Sequence, residues 1–143
     1  MRNRVAHLSS VHAADDVRIV HKECKGLADN GFDVHLCIAS DRPCPLPDIT
    51  VHRVRPPKNR AQRLSRTLMD VFLAARNVDA DLYHFHDPEL ASVGLALKAM
   101  GKRVVYDIHE DIPKQLLVKP YVPAPLKKVL PPVLDRGERL VSR

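Results

Sequence analysis

Short apolar runs alternate along this chain with stretches whose apolar residues recur every three or four positions. Residues 5–8 read as a first strand, closed by the polar turn Ser9-Ser10-Val11-His12. Asp15 or Asp16 is placed to cap a helix whose apolar face comprises Val17, Val20, Cys24, Leu27 and Ala28. Asn30-Gly31 ends it, because glycine accepts the left-handed conformation just past a helix. Residues 32–39 predict a second strand, and the proline-studded turn 42–48 leads into a short third at 49–54. After Pro56-Pro57 a second helix is expected over about 60–77. Its apolar stripe is Ala61, Leu64, Leu68, Val71, Phe72 and Ala75, and Arg60, Arg63, Arg66 and Arg76 sit on its other face. Residues 81–86 form strand four. Asp87 then suits an N-cap, Pro88 the first helical position and Glu89 the first turn, with Leu90, Val93, Leu97 and Met100 inward and Gly101 closing the helix. Residues 103–108 form strand five.

This alternation predicts an α/β domain with a Rossmann-like parallel sheet and helices on both faces. After Ile112 the character changes. Six of the twelve prolines fall at 113, 120, 123, 125, 131 and 132, among Lys114, Lys119, Lys127 and Lys128. Residues 112–143 therefore read as a basic, proline-rich connector followed by a helix over about 124–141 that Pro131-Pro132 must kink.

At 143 residues the chain is long enough for one domain with a real core. A charged fraction of 28% and a hydrophobic fraction of 45% fit a folded, globular chain. The net charge of +6 fits an anionic partner such as a phosphate, a nucleotide or a membrane surface. Aromatic residues make up only 4% and Trp is absent, so a base-stacking nucleic-acid platform is not expected. The arginine face of the second helix is read as solvated surface, with an acidic membrane or partner as the rival. Cys24, Cys37 and Cys44 have no CxxC spacing and read as reduced thiols rather than a disulfide framework or a zinc site. The short mixed run behind Met1 is no signal-peptide core, and no run is long enough to span a bilayer, so the expected location is cytoplasmic.

The chemistry collects where strands four and five end, in His84-Phe85-His86-Asp87-Pro88-Glu89 and Asp107-Ile108-His109-Glu110-Asp111. Ligands of open parallel sheets bind outside the carboxyl ends of the strands. His86 and His109 stand last on their strands, where two imidazoles can line one crevice, and the helix opening at Pro88 turns its amides toward the same rim. Asp87 is read as a cap before a base, and His84 as packed within the sheet. His84-Phe85-His86 resembles the His-x-His element of metal-dependent hydrolases, but the second Asp-His pair of that pattern is missing and no metal is expected. Neither GxGxxG nor GxxxxGK[ST] occurs, which disfavours dinucleotide enzymes and P-loop NTPases.

With Asp16-Val17-Arg18-Ile19, Lys22-Glu23 and Leu27-Ala28 before Gly31, these two strand-end motifs resemble the N-terminal domain of family 4 retaining glycosyltransferases, which have the two-domain GT-B fold. The likeness covers nearly the whole chain. It implies transfer of a sugar, with retention, from a nucleotide-sugar donor to a glycan, lipid-linked or small-molecule acceptor, with no further cofactor. It implies that His109 is the catalytic histidine near the transferred sugar, with His86, Asp87, Glu110 and His12 as substrate-binding residues. Family members continue into a nucleotide-binding second domain, absent here, so the expectation is a fragment, a truncated product or a subunit completed by another chain, inactive alone. The basic connector would suit peripheral contact with an anionic membrane at its inner face. The alternatives are a non-catalytic partner subunit and a small metal-dependent hydrolase.

Overall fold

The computed structural model describes residues 3–107. Five strands, β1 (Arg4–Ser9), β2 (Asp33–Ile38), β3 (Thr50–Arg53), β4 (Leu82–Phe85) and β5 (Arg103–Tyr106), form one parallel sheet in the order β3-β2-β1-β4-β5. Strands four and five are neighbours, and β1 is central. The chain builds outward from β1 to one side, then returns to its other side with β4. The gap between the carboxyl ends of β1 and β4 is thus the topological switch point, where such sheets take their ligands.

Helix α1 begins with a π-helical stretch, Val17–Cys24, and continues as α-helix over Lys25–Asp29. Asp16 is its N-cap: the carboxylate accepts from the N–H groups of Arg18 and Ile19, both at 2.9 Å. Gly31 follows at φ +84°, the left-handed turn that glycine enters without steric cost. One expected core position is corrected here. Val17 is 64% exposed, while Ile19 is fully buried in its place. A π-helix advances more residues per turn than an α-helix, so a stripe counted at 3.6 slips by a position.

Ile19, Val20 and Cys24 pack on Val34, Leu36 and Ile38 of β2, which covers one face of the sheet. Each large aliphatic side chain buried there contributes roughly 1.5–3 kcal/mol, enough to hold α1 down over polar neighbours. Helix α2 spans 60–78, with a π-helical segment Arg63–Thr67 between Arg60–Gln62 and Leu68–Val78. Helix α3 enters through a 3-10 turn, Pro88–Leu90, and continues over Ala91–Ala99. Both lie on the opposite face. The Tyr83 hydroxyl donates to the Ala75 carbonyl at 3.2 Å, and Gly94 of α3 lies directly over the Phe85 ring. The second π-helical segment again shifts the stripe: Thr67, Val71, Ala75 and Val78 are buried, whereas Leu64 is 49% exposed. Of the arginine face, Arg63 is no free surface cation, because its Nε meets Glu89 Oε1 at 3.1 Å.

Cys24 and Cys37 are buried free thiols, Cys44 a partly buried one, and burial pushes the Cys37 thiol up to about 12. Among the described residues no helix is long and apolar enough to cross a membrane. The connector and helix expected over 112–143 lie outside the described residues.

Candidate functional site at the carboxyl edge of the sheet

The register of β1 against β4 pairs His7 with His84 and Leu8 with Phe85. Beyond those pairs the backbone still runs alongside: the His86 N–H donates to the Leu8 carbonyl and the Asp107 N–H to the Phe85 carbonyl. Ser9, Ser10, His86, Asp87 and Asp107 are therefore carried to a common edge by three adjacent strands.

Asp87 is the hub of this edge. It stands at the N-cap position of α3, yet its side chain makes no cap bond, which corrects the capping role expected of it. Its carboxylate instead reaches across to the loop after β1. Oδ2 accepts from the Ser10 N–H at 2.6 Å, the Ser9 hydroxyl at 2.9 Å and the Ser10 hydroxyl at 3.3 Å, and Oδ1 meets His12 Nε2 at 3.2 Å. The Asp87 carboxylate can be buried because these donors replace water. Burial alone would raise its pKa; the bonds from His12, Ser10 and Ser9 outweigh that and hold it below the ordinary carboxylate value.

His12 closes the hub toward solvent. Its side chain keeps 25% exposure against 2% for Asp87, and its Nδ1 faces Asp16 Oδ2 at 3.4 Å. The hydrogen bond to Asp87 raises the His12 pKa above its ordinary 6.5. The charged imidazolium is thus favoured in the folded state. Its contribution to stability is full below pH 6.5 and is lost as pH rises through the raised value. Titration of wild type by NMR is expected to show His12 above 6.5, and Asp87→Asn to return it toward 6.5. An unchanged His12 in that variant would remove the Asp87 contact from the account.

Below this hub, on the face covered by α1, lie three imidazoles. His7 and His86 are buried, with His7 Nδ1 3.0 Å from His86 Nε2. His84 is partly buried, its ring centroid 4.9 Å from that of His7 and 4.5 Å from that of His86. Burial lowers the pKa of all three, that of His86 to about 4, so each is neutral at pH 7. On its outer side His86 Nδ1 lies 3.3 Å from Asp107 Oδ2. Asp107 also pairs with Arg18, whose Nη1 reaches Glu23 Oε1 at 3.1 Å. Burial would raise the Asp107 pKa, and the Arg18 contact, helped by His86, brings it below the ordinary value.

The structure thus unites three of the residues singled out from sequence. His86 and Asp87 are each 1% exposed, and His12 is the accessible member of the group. His109 and Glu110 lie outside the described residues. Sequence reasoning did not find the roles of His7, Arg18, Glu23 or the Ser9-Ser10 pair. The available signal was His7 itself, a polar residue inside an otherwise apolar strand. A cavity of about 490 Å³ opens at the other end of the sheet, beside Arg4, Asp81, Lys102 and Arg103. It faces the amino ends of the strands, where parallel sheets do not place their active sites.

No curated protein matches the chain. The family model described as Glycosyltransferase Family 4 matches residues 17–143, which takes in α1, four of the five strands and both strand-end motifs. With the parallel sheet and the polar edge at its switch point, that match shows that the chain belongs to glycosyltransferase family 4.

Proposed function

We propose that this chain supplies the acceptor-side wall of a retaining glycosyltransferase cleft, moving a sugar from a nucleotide-sugar donor to a glycan, lipid-linked or small-molecule acceptor. The observation that carries the reading is the family match over residues 17–143. The strand-end geometry fits it. His12 presents the partly exposed edge of its ring, which a sugar can approach, and Asp87 is a positioning residue behind it, anchored by Ser9 and Ser10. His86 is a second positioning residue, holding Asp107 in place beside Arg18. His109 is assigned the place nearest the transferred sugar, with Glu110 as a supporting contact.

Transfer requires groups that bind the transition state better than the ground state from both walls of a cleft. This chain alone is therefore expected to bind acceptor sugars and to transfer nothing. The test is saturation-transfer NMR with a panel of mono- and disaccharides, run beside incubations with radiolabelled UDP-glucose, UDP-N-acetylglucosamine and GDP-mannose. Saccharide binding that weakens in His12→Ala, without label transfer, is the expected result. Binding untouched by His12→Ala would take His12 out of the site. Absence of saccharide binding at millimolar concentration would overturn the acceptor-side reading, and label transfer by the purified chain would overturn the single-wall reading.

A further inference from the structure

The imidazole cluster under α1 gathers more donor groups than the acceptor-side reading uses. His7, His84, His86 and Glu23 each offer one donor atom, and these atoms all lie within 4.8 Å of one another. We infer that these four side chains form a closed, tetrahedral site for a divalent transition metal, zinc by preference, that fastens α1 to the two central strands. The inference shares His86 with the acceptor-side reading but does not depend on it, and it departs from the sequence expectation that no metal is needed.

The distances carry the argument. Glu23 Oε2 is 3.8 Å from His7 Nδ1, 3.8 Å from His84 Nδ1 and 3.7 Å from His86 Nε2. Those separations exceed hydrogen-bond range, so Glu23 does not bond to the rings directly. They are a few tenths of an ångström wider than ligands sharing an ion would show, a closure within reach of side-chain rotation: with bonds of about 2.0–2.1 Å, the edge of a ligand tetrahedron is about 3.3 Å. His7 Nδ1 to His86 Nε2, at 3.0 Å, falls just below that edge, and the two pairs that join the His84 donor to those of His7 and His86 lie within 4.8 Å.

The fold enforces the convergence. His7 and His84 are register partners on adjacent strands, and His84 and His86, two apart, share a face. Glu23 comes down from the π-helical part of α1, the kind of helical irregularity that accompanies functional sites. The outer contact is also in place. Asp107 accepts from His86 Nδ1–H, which leaves Nε2 with its lone pair turned inward, the arrangement that orients metal-binding histidines. Binding requires the His7 Nδ1 proton to move to Nε2, which has no hydrogen-bond partner among the described residues. That tautomer change releases no proton. Three imidazoles and a carboxylate suit zinc over magnesium or calcium, which prefer oxygen donors. Four protein donors leave no open position for a reactive water, so the ion would be structural rather than hydrolytic. Partial exposure of His84 and Glu23 gives it a way in, with side chains 20% and 26% accessible.

The test uses the full chain, stripped with a chelator and titrated with zinc alone, then with cobalt(II) as a spectroscopic stand-in. The expected result is a single equivalent of zinc, a rise in the thermal midpoint on loading, and intense visible cobalt bands of the tetrahedral type. Glu23→Gln and His84→Ala should each weaken zinc binding at least tenfold while retaining the far-ultraviolet spectrum of the fold. His35→Ala with His52→Ala, which removes a separate histidine pair on β2 and β3, should leave binding unchanged. Weak, pale octahedral cobalt spectra, or zinc affinity equal in Glu23→Gln, His84→Ala and wild type, would overturn the site. The cobalt spectrum of wild type decides the matter even if a variant fails to fold.

Discussion

Asp87→Ala is expected to cost about 3–4 kcal/mol of stability and to lower the thermal midpoint by about 15 °C. The reason is the company the carboxylate keeps. Four contacts converge on it, from the Ser9 hydroxyl, the Ser10 hydroxyl and N–H, and His12, and all of them join the end of β1 and the loop after it to the start of α3. Alanine would leave the Ser9 hydroxyl and the Ser10 amide, both buried, facing a small void without the carboxylate, while the Ser10 hydroxyl keeps Glu89 Oε1 at 3.1 Å. Asp87→Asn keeps the shape and one acceptor oxygen and should recover about half of the loss. Thermal unfolding followed by circular dichroism measures both. A loss below about 1 kcal/mol in Asp87→Ala would mean that the buried donors find other partners, and Asp87 would cease to be the hub of this edge.

The second large effect is a glycine that helix propensity alone would misjudge. Gly94 lies within α3, where alanine is usually the better residue by about 1 kcal/mol. Here a Cβ would stand 2.5 Å from Phe85 Cε1, with Cζ and Cδ1 at 3.1 and 3.2 Å. The ring has nowhere to yield. Phe85 is fully buried and stacks on Tyr106 of the neighbouring strand, centroids 4.5 Å apart. Gly94→Ala is therefore expected to destabilise by about 1–2 kcal/mol net of the helix gain, and Phe85→Leu in that background should be less costly than Phe85→Leu alone. Denaturant titration of the four proteins closes the cycle. A Gly94→Ala variant more stable than wild type would show that the helix does not sit this closely on β4.

How far the sequence could be read depended on whether a feature was local. The five strands, the helix ends at Gly31 and Gly101 and the cap at Asp16 all rest on patterns or on glycine and carboxylate chemistry confined to a few neighbouring residues. They appear in the structure within a few positions of where the sequence placed them. Helix faces were less legible. Val17 and Leu64 satisfy a 3.6-residue count but are exposed, because π-helical turns in α1 and α2 change the count and nothing in the local sequence announces them. Asp87 shows the same limit at the site. Its position before Pro88-Glu89 is that of a cap, and Ser9, Ser10 and His12, at the end of β1 and just past it, draw its carboxylate elsewhere.

By itself, then, the sequence determined a parallel α/β domain, its polar strand ends and their family likeness, because periodicity and short motifs survive without knowledge of neighbours. Tertiary structure alone decided which polar groups meet. Parallel pairing of β1 with β4 set His7 beside His84, and the descent of α1 brought Glu23 onto the same face. Side chains 16, 77 and 79 positions apart converge there, since contact in a folded chain follows strand register and helix packing rather than order along the backbone.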